Sequence, residues 1–301
     1  MSESQRWYDP IRKEFDASFN DTWAPRLARF SHELPTKAAA TKFHLPHKDV
    51  PPAWFNGNLT AMKPGEWVLV VSNNPHGPGI GPTLPLADAD ASREGWWNHL
   101  HTVNPDGANW GRPGVFPKVI DLAAAARGVD VSAGPGASDD FAAERMLVIE
   151  FCPYASQTWP TIQWDPTMKQ LAQETEGIRR YARRIRGLLF EYGQPKAVLC
   201  LGQEATWDVK DKQFGEDRMF RMNVELKSRP GEFTALYQGT YQPKNGPPFE
   251  VIGFQEVPWG PKHHDVRREI VAAYGRDGAD SGAFQRFSRD PYSWENRPPS
   301  R

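Results

Sequence analysis

Charge of one sign is the first thing this chain lacks: 36 Lys and Arg stand against 37 Asp and Glu over 301 residues, a formal net charge of -1. No global field draws such a chain onto a polyanion or a lipid surface, so any nucleic-acid contact has to be a local patch. Cysteine is scarce. Cys152 and Cys200 are the only two, each in or at the end of an expected strand, and they read as reduced core thiols of an intracellular protein. Two thiols exclude a cluster that needs four. No apolar run reaches membrane length, and the opening MSESQRWYDPIRKEF is too charged for a signal peptide. The expected setting is the cytoplasm, with no membrane and with a monomeric chain. Familiar cofactor signatures are missing too: no G-x-G-x-x-G follows the first strand, and no P-loop or G-x-S-x-G occurs. The pairs His44/His47, His99/His101 and His263/His264 yield no tetrad with structural-zinc spacing, and neither cysteine lies in a C-x-x-C. We expect no metal and no cofactor.

What the chain has is aromatics and loop formers, 12 Trp beside 28 Pro and 25 Gly. That balance points to long ordered loops rather than disorder. The organising stretch is Glu66 to Gly79, EWVLVVSNNPHGPG. Trp67 to Val71 is unbroken and apolar, as in a strand buried on both faces. It breaks into a polar loop that Pro and Gly keep from continuing as strand or helix. At the carboxyl end of a strand in an open α/β sheet, such a loop is where ligands meet the protein.

Before it, apolar positions Trp7, Ile11, Phe15, Phe19, Trp23, Leu27 and Phe30 recur every three or four residues. They predict an amphipathic helix, or a broken pair, packed on the main domain. Residues 34–65 read as extended chain wrapping the surface, and 80–117 as a long aromatic-rich loop region. Phe116 to Gly128 predicts a helix, 129–140 a polar link, and Arg145 to Phe151 a second buried strand. Asp165-Pro166 starts a helix running to about Tyr192. Its inward positions are Leu171, Ile178, Tyr181, Ile185, Leu188 and Tyr192, and Gly193 stops it. Arg179, Arg180, Arg183, Arg184 and Arg186 form its outer face, either a solvated surface or a DNA contact. Ala197 to Leu201 is a third strand and Phe249 to Phe254 a fourth, with 208–248 between them as an insertion or a β-hairpin. Asp265 to Tyr274 closes the pattern as a helix. The expected fold is α/β, a three-layer αβα sandwich on a mostly parallel four-stranded sheet. Residues 1–53 form an N-terminal helical and wrapping region, 54–275 the main domain, and 276–301 a polar tail.

In order and spacing these pieces resemble the uracil-DNA glycosylase superfamily, over roughly residues 54–274. The sharpest matches are Val70-Val71-Ser72-Asn73-Asn74-Pro75-His76-Gly77 for its first motif and Val198-Leu199-Cys200-Leu201-Gly202-Gln203-Glu204-Ala205 for its third strand. The resemblance implies a monofunctional DNA glycosylase. Asn74 would position the hydrolytic water, with Asn73, Pro75 and His76 lining the base pocket. Trp96 or Trp97 would be the stacking aromatic, Glu150 the reader of the Watson–Crick edge, and His263 or His264 the group that stabilises the departing base. Three departures stand out: Ser72 replaces the motif glycine, Glu150 replaces an Asn, and no His-Pro-Ser follows the fourth strand. They point away from uracil and toward an altered pyrimidine, such as a modified cytosine. Some members of the superfamily that remove modified bases act in anti-phage defence, others in base-excision repair.

The chemistry sets its own requirements. Cleaving an N-glycosidic bond needs a placed water, support for an oxocarbenium-like sugar and a donor to the leaving base. The base must first leave the stack, and an aromatic wall recovers about 1–3 kcal/mol of that cost. Arg179, Arg183, Lys262, Arg267 and Arg268 are the candidate phosphate contacts. Trp259, in a stiff Pro-Trp-Gly-Pro loop, is a DNA wedge or core filler. Glu150 is alternatively a helix cap or an ion-pair partner, and Asn74-Pro75 a plain turn. Two other functions stay open: a non-catalytic nucleic-acid-binding protein of the same fold, and a hydrolase of free nucleosides.

Overall fold

A computed structural model describes residues 6–20, 54–72, 92–101, 116–132, 137–150, 181–214, 219–226 and 229–254, together with 268, 271 and 272. Its centre is the set of expected strands. Val68–Ser72 (β1), Met146–Glu150 (β2), Ala197–Cys200 (β3) and Phe249–Phe254 (β6) run parallel, in the order β2-β1-β3-β6. The sheet has six strands rather than four. Phe220–Leu226 (β4) and Arg229–Tyr241 (β5) form an antiparallel hairpin that extends it beyond β6. The hairpin alternative for the 208–248 stretch is the one realised.

Side chains alternate between the two faces of each parallel strand. Leu69, Val71, Leu147, Ile149, Val198, Cys200 and Val251 join one core, and Val68, Val70, Met146, Val148, Leu199 and Ile252 the other. Both faces are covered, which is why the four strands read as continuous apolar runs. Asp9–Asn20 (α1), Arg93–His101 (α2), the helical stretch 181–188 (α5) and Gln203–Val209 (α6) place residues in the first core. Phe116–Arg127 (α3), Ala137–Arg145 (α4) and the helical residue Val271 cover the second. The three-layer expectation therefore holds in outline. Ile11 and Phe15 of α1 sit in the same core as the sheet.

Two helices stand where loop was expected. In α2 the Ser92 hydroxyl accepts from the Gly95 amide at 3.1 Å, the ordinary cap of a first turn. In α4, Phe141 and Ala142 are the buried positions, carried on one short polar helix. The long helix ends differently as well. It widens into a π-helical turn over Leu189–Gly193, and the left-handed residue is Gln194 rather than Gly193. Tyr192, expected inward, is 42% exposed.

The free edge of β2 is guarded by the segment before β1. Asn56 pairs with Val148, giving and receiving backbone hydrogen bonds of 2.7 and 2.9 Å. Gly57 makes that approach possible, with φ +139° and a site where a Cβ would lie 2.8 Å from the Met146 carbonyl oxygen. That bridge occupies the middle of the β2 edge, at Val148, where a second chain would otherwise pair.

Across the sheet, α6 presses on β6 at Gly253, where a Cβ would overlap the Thr206 side chain. Thr206 Oγ1 donates instead to Gly202 O at 2.8 Å, inside its own first turn. Gly253→Ala is expected to cost about 1–3 kcal/mol by overpacking. Urea denaturation of the variant measures it, and an unchanged midpoint would show that α6 is free to shift.

Candidate functional site

Strand order selects one place in this sheet. β1 leads on to β2 on one side, whereas β3, adjacent to β1, leads on to β6 on the other. The carboxyl ends of β1 and β3 therefore flank a topological switch point, where an open parallel sheet leaves a crevice for a ligand. Ser72 ends β1 there. On the β3 side the Leu201 amide donates to Val71 O at 2.8 Å, and Gly202 turns the chain into α6.

Next to this point lies Glu150, the last residue of β2. Ser72 and Glu150 are direct partners in the parallel register. Alternation turns both to the side of Val70 and Val148. Glu150 is 2% exposed, with Ser72 as its register partner on the neighbouring strand. Its Oε2 has no hydrogen-bond partner among the described residues. Burial pushes the pKa up to about 8, and the neighbouring Ser72 hydroxyl offsets this only in part. At neutral pH the group is mainly a carboxylic acid, so it presents a proton as well as acceptor lone pairs. Two of the three departures from the resembled motifs, Ser72 and Glu150, are thus neighbours in the strand register.

A second polar group is buried on the opposite face. Asp208, at the end of α6, accepts from Arg183 Nη2 at 2.6 Å and Nε at 3.0 Å, and from Arg186 Nη2 at 2.7 Å. Burial raises the Asp208 pKa, but the two guanidinium groups outweigh it and leave the carboxylate below its ordinary value. Arg186 is fully buried, and its Nε and Nη1 lack partners among the described residues. Cys200 lies in this environment, with burial lifting its thiol to about 12. It is a protonated core thiol, as expected.

Several expected site residues sit elsewhere. Trp96 and Trp97 are 2% and 7% exposed and belong to the core under α2. Trp97 packs edge-on against Phe15 and Phe55, with Arg12 over its ring at 4.7 Å. Trp96 stacks on His99 at 4.9 Å. Their rings are taken up by packing on the face opposite Glu150, so the structure does not present them as a wall for a base that Glu150 reads. Arg183 is committed to Asp208, and Arg186, expected on the outer face, is an interior residue. Arg268 bonds Asp121 at 2.9 Å and remains 45% exposed, on the opposite face from Arg183. Asn73, Asn74, Pro75, His76, Trp259, Lys262, His263, His264, Arg179 and Arg267 lie outside the described residues, as does Cys152. Among the described residues no group of three or more His, Cys, Asp or Glu is placed to hold a metal ion, and no helix is long and apolar enough to cross a membrane.

The two histidines of α2 are half-buried. His101 Nδ1 lies 2.8 Å from Trp97 O, which assigns the proton to Nδ1. Burial lowers the pKa of both His99 and His101 below the ordinary 6.5. Their contribution to stability is complete above that value and is lost as pH falls below it. Glu150 acts in the reverse sense. Its folded pKa is raised, so the folded state loses ground as pH climbs from 4.5 to about 8.

Glu150→Gln keeps the shape of the neutral acid. Its stability relative to wild type is expected to grow across that window, by at most about 1.4 kcal/mol per pH unit. Denaturation series at several pH values measure this, and a pH-independent difference would mean that Glu150 is not held neutral. Asp208→Asn leaves Arg186 buried without its counter-charge, and an expected loss of about 3–5 kcal/mol follows. Thermal unfolding decides that, and a loss within the range of a surface substitution would remove the pair from the core's essentials.

Comparison of the chain with family models, with curated proteins and with solved structures gives no match.

Proposed function

We propose that the protein is a DNA glycosylase that hydrolyses the N-glycosidic bond of a flipped, altered pyrimidine, with water as the nucleophile. The observation that carries this reading is the Ser72–Glu150 pair. A carboxyl that is buried, unmatched by any cation among the described residues and kept at the carboxyl edge of a parallel sheet is costly to the fold. Groups perturbed in this way concentrate at functional sites. Its place beside the switch point puts it next to the start of the Asn73-Asn74-Pro75-His76 loop, whose sequence supports the same reading.

The assignment of roles follows from chemical type. Asn74 orients the water, and since an amide is a poor base its contribution is position rather than proton abstraction. His263 or His264 donates to the base as it departs. Glu150 reads the base edge, and Asn73, Pro75 and His76 line the pocket. Lys262, Arg267 and Arg268 supply phosphate contacts, with Trp259 as the wedge. No part is given to Trp96, Trp97 or Arg183, whose side chains are engaged in the core. No lysine is assigned to the pocket, so no Schiff base forms and the strand stays intact until the abasic site is cleaved separately.

Duplex DNA carrying uracil, cytosine, 5-methylcytosine or 5-hydroxymethylcytosine at one position, incubated with protein and treated with alkali, tests the reading. Scission at one altered base is expected, reduced on the order of 100-fold by Asn74→Ala. Binding without base release on every substrate would leave a nucleic-acid-binding protein instead. Turnover of free nucleosides as fast as DNA would make it a nucleoside hydrolase.

A further inference from the structure

We propose that two copies of this chain associate through β4, edge to edge in an antiparallel register centred on Asn223, so that their sheets join into one. The proposal goes beyond the glycosylase reading, does not depend on it, and sets a dimer in place of the expected monomer.

The two ends of the sheet are built differently. At one end Asn56 bridges to Val148 and occupies the edge of β2. At the other end stands β4, which pairs with β5 on one side and has no strand on its other side among the described residues. A strand in that position carries a row of outward backbone N–H and C=O groups that a further strand satisfies. It is seven residues long, above the usual ~5–6. Its ladder with β5 is regular from Phe220 to Glu225, and the one irregularity falls at Glu225/Leu226. A bulge nearer the middle would have bent the edge away.

The order of residues along that edge selects the occupant. FRMNVEL is self-complementary about its central residue, Asn223. In an isologous antiparallel pair, position i meets position j of the second copy while j meets i, and the two-fold axis passes through one residue position. With Asn223 on the axis, Arg221 falls opposite Glu225, Met222 opposite Val224 and Phe220 opposite Leu226, each of them twice. Cation meets anion and apolar meets apolar, the combinations that stabilise cross-strand pairs. The neighbouring registers lose this match. Centred on Met222, Arg221 meets Asn223; centred on Val224, Arg221 meets Lys227, a like charge. Across its own hairpin β4 finds no such complement, because Arg221 is in register with Tyr237 and Glu225 with Phe233. An unrelated strand has no reason to carry the same residues in reverse. A second copy carries them by identity. The sheet order sets β3, β6 and β5 between β1 and β4, so the pairing leaves the carboxyl ends of β1 and β3 outside the interface.

Sedimentation equilibrium of the full chain, over a range of protein and salt concentrations, tests this. The wild-type mass is expected to rise from that of one chain to that of two, at lower protein concentration when salt is low. Arg221→Glu alone, or Glu225→Arg alone, sets like charges opposite each other at both symmetry-related pairs and weakens association at least about tenfold. The double variant R221E/E225R restores it. Mixing the two single variants also restores it, since one chain then carries two anions opposite two cations of the other. That rescue does not follow from a merely structural role of either residue. A one-chain mass at every concentration overturns the proposal, as does a dimer indifferent to the single swaps. A double variant that stays monomeric, or a mixture no tighter than its components, overturns it as well.

Discussion

Burial of four parallel strands on both faces constrains everything else in this protein. With Val68 and Val70 committed to one core and Leu69 and Val71 to the other, β1 has no position to spare for a polar side chain until it ends at Ser72. β2 repeats the arrangement and ends at Glu150, and β3 ends at Cys200. Chemistry is thereby pushed to the carboxyl edge, where the strands stop and the connections from β1 and β3 lead to opposite sides. The antiparallel hairpin lengthens the sheet on the far side of β6 and leaves that edge unchanged.

Polar groups inside such a sandwich survive by pairing, and two of the buried sets, those of Asp208 and Glu150, do so differently. Asp208 is matched by two guanidinium groups and stays ionised, so it fastens α5 to α6. Glu150 has no ion-pair partner among the described residues, and burial raises its pKa instead. The first arrangement satisfies a carboxylate and is explained by the fold alone. The second leaves the carboxyl itself with an oxygen that has no partner among the described residues, which makes it a candidate binding group.

The strands were legible in sequence because two-sided burial writes itself as an apolar run, and all four parallel strands lie where those runs lie. The short helices were not. α2 and α4 span nine residues each, too few for a helical period to stand out, and the Trp pair of α2 resembled a site more than a core. Arg186 was hidden by its neighbours. It falls four residues after Ala182 and four before Phe190, both buried, so periodicity places it on the inner stripe, but a run of five arginines suggested a solvated face. The Ser72–Glu150 pair could not be found from spacing, since 78 positions separate two residues that only strand register brings together. Each was visible alone as a departure from the resembled motifs. Their contact was not.

The central claim is that a pyrimidine base is received at the carboxyl edge of the sheet, beside the β1/β3 switch point, where β1 ends at Ser72 and β2 at Glu150. Photo-cross-linking with an oligonucleotide that carries one 5-iodocytosine, followed by peptide mapping, tests this most directly. The account predicts cross-links within the peptides that begin at Ser72 and at Glu150. Cross-links confined to α1 or to the β4–β5 hairpin would contradict it.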